Sequence, residues 1–240
     1  MLKWMRLGLK HTSLLLSSAV WLACTGGQVP QRGDPRPCPA GSVRHGEPPP
    51  VGRAQWCRRR QAGSWVNHGP FMAWHPNGRM QAKGTYRDGK PHGRFEMWFQ
   101  NGQRRARGHY EQGQKEGVWR SWHMRGGLAI EATFADDEEN GPWRSWWQEG
   151  YLSAQGQMQD GWESGYWVFW HTNGRLAQAG HYSRGNRTGW WERWERSGEP
   201  LPMLRFEDGD EVASGALSGP LAAEDLAQGV QTRPWGAPLE

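Results

Sequence analysis

The three cysteines are the residues whose type and spacing bear most directly on chemistry. Cys24 closes a short apolar segment, whereas Cys38 and Cys57 bracket a stretch rich in proline, glycine and arginine. If Cys24 carries a lipid, the other two remain as a pair, which an oxidising compartment would convert to a disulfide. A metal pair is the alternative, but zinc needs a local cluster of four ligands that these positions lack. The sequence therefore favours a Cys38–Cys57 disulfide, worth roughly 3 kcal/mol for a loop of about 20 residues.

Residues 1–23 have the features of an export signal. Three basic residues precede an apolar run, Thr12 to Ala23, which is too short to span a bilayer as a stable anchor. The run ends in Trp21-Leu22-Ala23-Cys24, which resembles a bacterial lipobox, although Trp21 stands where that motif prefers an aliphatic residue. An ordinary secretory signal cut nearby is the alternative. We expect an exported protein, lipidated at Cys24 and held at the cell envelope, in the outer membrane or at the surface, facing the periplasm or the exterior.

Histidines and an acidic run are the remaining candidates for chemistry. His75, His123 and His171 share one phase of a repeat, but successive members are four strands, or roughly 19 Å, apart. Zinc ligands lie about 2 Å from one ion, so solvated surface histidines are the better interpretation. The run Asp136 to Glu139 lacks the alternating spacing of a calcium loop and is interpreted as a solvated turn. We expect no catalytic residue, cofactor or metal, and hence no enzyme.

A 24-residue unit, repeated six times between Gly69 and Gly209, must position whatever the chain presents. Each copy opens on a glycine, carries an aromatic residue two positions later and a tryptophan five positions later, and has a second glycine nine positions later. The opening glycines are Gly69, Gly93, Gly117, Gly141, Gly165 and Gly189. The tryptophans are Trp74, Trp98, Trp122, Trp146, Trp170 and Trp194.

Each copy is expected to form two strands and two turns. Asn77-Gly78 predicts a type I′ hairpin turn, and Asp88-Gly89 predicts the turn into the next copy. A two-residue turn at Asn77-Gly78 places Phe71 opposite Gly84, where the ring covers bare backbone. The tryptophan row then projects from the other face. The fold class is therefore all-β: an elongated antiparallel meander of six hairpin repeats.

The tryptophan row, Trp74 to Trp194, allows two interpretations. The six rings either bury against one another as core, or remain exposed as a platform for sugar rings, lipid headgroups or a partner strand. We take the row as a candidate for core or binding.

Composition divides the chain and limits its partners. We predict a signal peptide at 1–23, a tether at 24–50, an N-terminal capping segment at 51–68, repeats at 69–211 and a low-complexity tail at 212–240. From residue 69 to 211 there are 18 Lys and Arg against 19 Asp and Glu, so the sequence pI of 9.4 reflects the N-terminal part. A near-neutral array argues against nucleic acid as a partner.

The motif Gly-x-aromatic-x-x-Trp-x-x-x-Gly, followed by Gly-x-Tyr-x-x-Gly, resembles the MORN-repeat family, and most closely its bacterial YwqK-type antitoxin variant. The first copy matches well from His68 to Arg79, whereas the third and sixth depart. The resemblance implies a hairpin array that contacts protein or lipid without catalysis. We expect a binding or scaffold protein of the envelope whose partner is a protein, a lipid or a glycan. An antitoxin that neutralises a toxin and a glycan-binding subunit of an envelope enzyme are the alternatives.

Overall fold

The computed structural model describes residues 36–215, which form one open antiparallel sheet of 16 strands. Each strand pairs with its neighbours in sequence, except that the short β5 pairs only with β4, and β4 also pairs with β6. The all-β meander is therefore confirmed. In chain order the strands are β1 Ser42–Glu47, β2 Ala54–Gln61, β3 Ser64–Trp74, β4 Met80–Arg87, β5 Lys90–Pro91, β6 Gly93–Trp98, β7 Arg104–Glu111, β8 Gln114–Trp122, β9 Leu128–Ala135, β10 Glu138–Trp146, β11 Leu152–Gln159, β12 Trp162–Trp170, β13 Leu176–Ser183, β14 Asn186–Trp194, β15 Pro200–Glu207 and β16 Asp210–Gly215.

The strand register agrees with the sequence. Phe71 pairs with Gly84, and Phe95 with Gly108. The third, fourth and fifth copies repeat the relation with the pairs Trp119–Ala132, Trp143–Gly156 and Trp167–Gly180. The aromatic residue two positions after each opening glycine therefore shares one sheet face in every copy.

The predicted type I′ turn at Asn77-Gly78 is wrong. Gly78 has a φ of 80° but Asn77 has no positive φ, and the Gly78 amide donates to the His75 carbonyl over 2.9 Å. This is a three-residue loop that ends on a left-handed glycine. The β-bulge between Ala73 and Trp74 absorbs the additional residue, which is why the Phe71–Gly84 register still holds.

Type I′ geometry occurs instead in the turns that join one copy to the next. Asp88 and Gly89 both have positive φ, 53° and 84°, as this turn requires. Gln112 and Arg184 occupy the same turn position in later copies, with φ of 48° and 47°. The two turn types therefore alternate along the array, one within each copy and one between copies.

The core is a ladder of rings on one face of the sheet. Trp167 and Trp191, 3 % and 0 % exposed, are among its most buried members. Rings from the return strands intercalate between them: Tyr110 lies 4.8 Å from Trp119, and Tyr182 lies 5.0 Å from Trp191. This face, called the core face below, lets a single sheet bury large apolar side chains without a second layer.

Each return-strand glycine receives a ring from the following copy. A methyl group on Gly84 would lie 2.1 Å from Phe95, and one on Gly156 would lie 2.2 Å from Trp167. Phe71 is the strand partner of Gly84, but the ring that lies closest to Gly84 is that of Phe95. The glycine therefore couples adjacent copies.

The sheet begins before the first repeat. β1, β2 and the first half of β3 occupy residues 42–68, so part of the segment predicted to be a tether is sheet. Cys38 and Cys57 form the predicted disulfide, with Cα atoms 5.7 Å apart. It holds Pro39 against Gly69, where an added methyl group would lie 2.5 Å from the proline Cδ. At the other end β16 extends to Gly215, beyond the predicted boundary at residue 211.

Candidate functional site

The sheet face opposite the core face carries a continuous cross-strand row of side chains. Its members are the third residue after each opening glycine and the paired residue on the return strand. From β3 to β14 the register runs Met72, Lys83, Glu96, Arg107, Arg120, Glu131, Arg144, Gln155, Val168, Ala179 and Glu192. The middle of this row is charged and half-buried, whereas the apolar members Met72, Val168 and Ala179 are buried. We call this surface the polar face.

Positive charge exceeds negative charge in the middle of the polar face. Arg94 lies 2.7 Å and Arg104 lies 3.9 Å from the Glu96 carboxylate. Arg120 and Arg144 approach the Glu131 carboxylate to 2.6 Å and 3.8 Å. Together with Arg107, these four arginines and two glutamates form what we call the arginine patch. Five guanidinium groups against two carboxylates leave it positive, although the array as a whole is near neutral.

The predicted tryptophan row flanks this central row on the same face. Trp74 is 1 % exposed, whereas Trp98, Trp122, Trp146, Trp170 and Trp194 are half-buried. Arg104 stacks over the Trp122 ring, 5.3 Å from its centroid. The row therefore differs from both predicted extremes: Trp74 is buried, the other five rings are half-buried, and an arginine lies over one of them.

The histidines of the repeat join neighbouring copies. His75, His123 and His171 are half-buried, and each donates from Nε2 to the carbonyl of the next copy's tryptophan over 2.8–2.9 Å. Trp147 donates to the Trp170 carbonyl in the same way over 3.0 Å. The prediction of solvated surface histidines is therefore wrong for these three residues. A side-chain donor at this position bonds a backbone carbonyl that the turn would otherwise leave without a hydrogen-bond partner.

The acidic run forms the turn between the third and fourth copies. Asp136 and Asp137 both have positive φ, and Asp137 accepts a hydrogen bond from the Lys115 amide over 2.8 Å. Across residues 36–215 no group of three or more His, Cys, Asp or Glu side chains is arranged to hold a metal ion. The Asp137 carboxylate therefore joins this turn to the start of β8.

Glu139 at the end of that run should make stability depend on pH. Burial raises the pKa of Glu139 above its ordinary 4.5, outweighing the Trp143 hydrogen bond and the Lys115 charge, which lower it. A raised pKa in the folded state favours the protonated carboxyl. The resulting stability is full below pH 4.5 and is lost as the pH rises through the folded pKa. Glu139→Gln should therefore raise the melting temperature at pH 7 and give no gain below pH 4.5.

Thermal melts across that pH range would test this. Glu138→Gln, in the exposed neighbouring position, is the control and should change the melting temperature little at either pH. A Glu139→Gln variant that is less stable than the parent at pH 7 would contradict the expectation.

Comparison with known proteins identifies one matching segment. Residues 91–112 match the family model described as a MORN repeat variant, and no curated protein matches the chain. The segment contains β6 and β7, including the Phe95–Gly108 pair, and the last residue of β5. The match supports the MORN repeat family and is consistent with a repeat protein that binds or scaffolds.

The predicted sites fall into three groups. Cys38 and Cys57 are joined, and the tryptophan row lies on the polar face, while Cys24 lies outside the described residues. No helix within residues 36–215 has the length and hydrophobicity needed to cross a membrane. The arginine patch was missed because charges were summed over the whole array, whereas only one face carries this excess.

Proposed function

We propose that this protein is a non-catalytic binding scaffold of the cell envelope, built from MORN-like repeats of the YwqK-type variant. The polar face is the observation that carries the proposal. It presents arginines and half-buried tryptophans along a continuous sheet, and surfaces rich in these residue types are favoured at binding interfaces. Charged groups spread along a row suit recognition of an extended partner.

The envelope location is supported by two features of the N-terminal part. The Cys38–Cys57 disulfide fits an exported protein, because disulfides persist in oxidising compartments. The apolar run that ends in Ala23-Cys24 fits lipid anchoring after cleavage of residues 1–23. In this arrangement the lipid on Cys24 holds the array at the outer membrane or the surface, and the polar face remains available to a partner.

Replacing Cys24 tests the anchor. We expect Cys24→Ser to abolish incorporation of labelled palmitate and to move the protein from the membrane fraction to the soluble fraction. A single acyl chain gives only marginal membrane binding, whereas several chains hold a protein stably, so loss of the modified cysteine should release it.

Gln28→Ala, in the segment that follows the cysteine, is the matched control and should leave labelling and fractionation unchanged. Membrane association of Cys24→Ser, together with an unlabelled parent protein, would refute the lipoprotein assignment.

A further inference from the structure

Two arginines face each other directly across neighbouring strands of the polar face. Arg107 on β7 pairs in register with Arg120 on β8. Like charges placed directly opposite destabilise a sheet. The like-charge pairs Arg87–Lys90 and Glu207–Asp210 flank turns and are exposed, whereas Arg107 and Arg120 are half-buried within their strands. The Arg107–Arg120 pair is therefore a local conflict of the kind that functional sites retain.

Among the described residues, neighbouring side chains form a hydrogen bond with the Arg120 guanidinium but not with the Arg107 guanidinium. The Arg120 Nε atom donates to the Glu131 carboxylate over 2.6 Å. The carboxylate of Glu96, which is the strand partner of Arg107, instead accepts a hydrogen bond from Arg94 over 2.7 Å. Within residues 36–215 the Arg107 guanidinium makes neither a hydrogen bond nor an ion pair. Its five donors therefore remain available to a ligand.

The pKa of Arg107 reflects this position. Desolvation by burial is the largest effect and lowers the Arg107 pKa. The positive charges of Arg94 and Arg104 lower this pKa further, whereas the negative charge of Glu96 raises it. An anion bound at Arg107 would relieve that positive potential. A guanidinium also presents paired donors that match a carboxylate in bidentate geometry.

We propose that Arg107 and Arg120 form the centre of a docking site for an acidic polypeptide segment, whose carboxylates lie across β6 to β10. This deepens, and rests on, the binding function proposed above. The partner is a protein that presents several Asp or Glu residues in an extended stretch. From β6 to β10 is four strand steps, or about 19 Å, which about six extended residues cover.

The fixed carboxylates of the patch favour a peptide over a uniform anionic surface. Glu96 and Glu131 stand within the row, one on each side of the Arg107–Arg120 pair. They would repel a membrane or polymer that brings negative charge to every point of the row. A peptide instead places discrete carboxylates beside the arginines and neutral groups beside the glutamates. Unfavourable charge pairs of this kind give specificity.

The test measures binding of a fluorescent eight-residue peptide, in which glutamate and glycine alternate, to the purified full chain by anisotropy at low salt. The parent protein is expected to bind, and Arg107→Gln to bind about tenfold more weakly, as for the loss of a charge-assisted hydrogen-bond pair. The melting temperature of Arg107→Gln should be unchanged or higher, since the like-charge pair is removed. A purely structural role for Arg107 would lower it instead.

Arg184→Gln is the matched control for charge. Arg184 lies in the turn between β13 and β14, and the equivalent turn position of an earlier copy is already glutamine, Gln112. The affinity of the Arg184→Gln variant for the peptide should stay close to that of the parent protein. Equal losses in the two variants, or no binding by the parent, would overturn the proposal.

Two further probes distinguish the source of the anion. Vesicles of phosphatidylcholine with phosphatidylglycerol represent a membrane, and polygalacturonate represents an acidic glycan. Tighter binding of either probe than of the peptide, with the loss confined to Arg107→Gln, would replace the acidic polypeptide by that ligand. Failure of peptide binding while Cys24-dependent anchoring holds would refute this inference and leave the envelope location standing.

Discussion

Replacing Trp167 by alanine is expected to destabilise the array by about 3–5 kcal/mol, the usual cost of truncating a buried tryptophan. Trp167 is 3 % exposed and lies in the middle of the core face. Its ring covers the backbone of Gly156 and stands 5.5 Å from the Trp143 ring and 5.9 Å from Tyr182. Because the free energy of unfolding of a domain is about 5–15 kcal/mol, this loss is a large fraction of the total for a single residue.

The loss should reach beyond a single copy. In a sheet of stacked repeats each copy is stabilised by its neighbours, and Trp167 contacts rings of the fourth and fifth copies together. We therefore expect hydrogen exchange in Trp167→Ala to accelerate from β10 to β14, with a lower melting temperature for the array.

Trp162→Ala on the same strand is the control. Trp162 is 44 % exposed and contacts the Gly185 turn, so its truncation should cost less than about 1 kcal/mol. Chemical denaturation of both variants decides the matter. Similar free energies of unfolding for the two would show that the core-face ladder does not stabilise the array.

The repeat made most of the fold predictable from the sequence. The 24-residue spacing predicted both strands of each copy. The assumed two-residue turn placed Phe71 opposite Gly84, and that register holds because a β-bulge offsets the additional turn residue. The type of each turn was harder to predict from the sequence. Asn-Gly suits a type I′ turn and also a three-residue loop ending on glycine, and the Asn77 side chain favours the second by donating to the Gln100 carbonyl of the next copy.

Residues 42–61 could not be assigned to the sheet in advance. They lack the 24-residue pattern, and their Pro, Gly and Arg content is typical of an extended segment. Tertiary contacts decide their structure: β1 and β2 pair with each other and, through β2, with β3. Gly46 lies so close to Trp56 that an added methyl group would approach the ring to 2.6 Å, repeating the ring-on-glycine contact outside the repeat.

The candidate site was only half predictable. The tryptophan row was visible from its phase, but its partial burial depends on neighbours such as Arg104 that lie one copy away. The arginine patch was visible only in part: the Phe71–Gly84 register applied to every copy pairs Glu96 with Arg107 and Arg120 with Glu131. Arg107 faces Arg120 because of a register shift between Arg107 and His109, which the repeat pattern does not predict. A net charge summed along the chain does not reveal the patch, because alternate residues of a strand point to opposite faces of the sheet.

Removing the disulfide is expected to loosen the N-terminal end of the array and to cost roughly 3 kcal/mol there. The bond joins Cys57, which is 1 % exposed on β2, to a residue 19 positions earlier. Without it the unfolded chain gains the entropy of an open loop of about 20 residues, which corresponds to about 3 kcal/mol.

The damage should stay near the first strands. The disulfide keeps Pro39 against Gly69, and Arg36 near by reaches the Gly84 carbonyl over 3.5 Å, so its loss frees contacts to β3 and β4. Because each copy contacts mainly its neighbours, the later copies should keep their stability. We expect Cys38→Ser/Cys57→Ser to accelerate hydrogen exchange from β1 to β4 and to leave β12 to β15 unchanged. Adding a reductant to the parent protein should reproduce the double variant and should have no further effect on the variant itself. Uniform loss of protection along all 16 strands would show instead that the array unfolds as one unit.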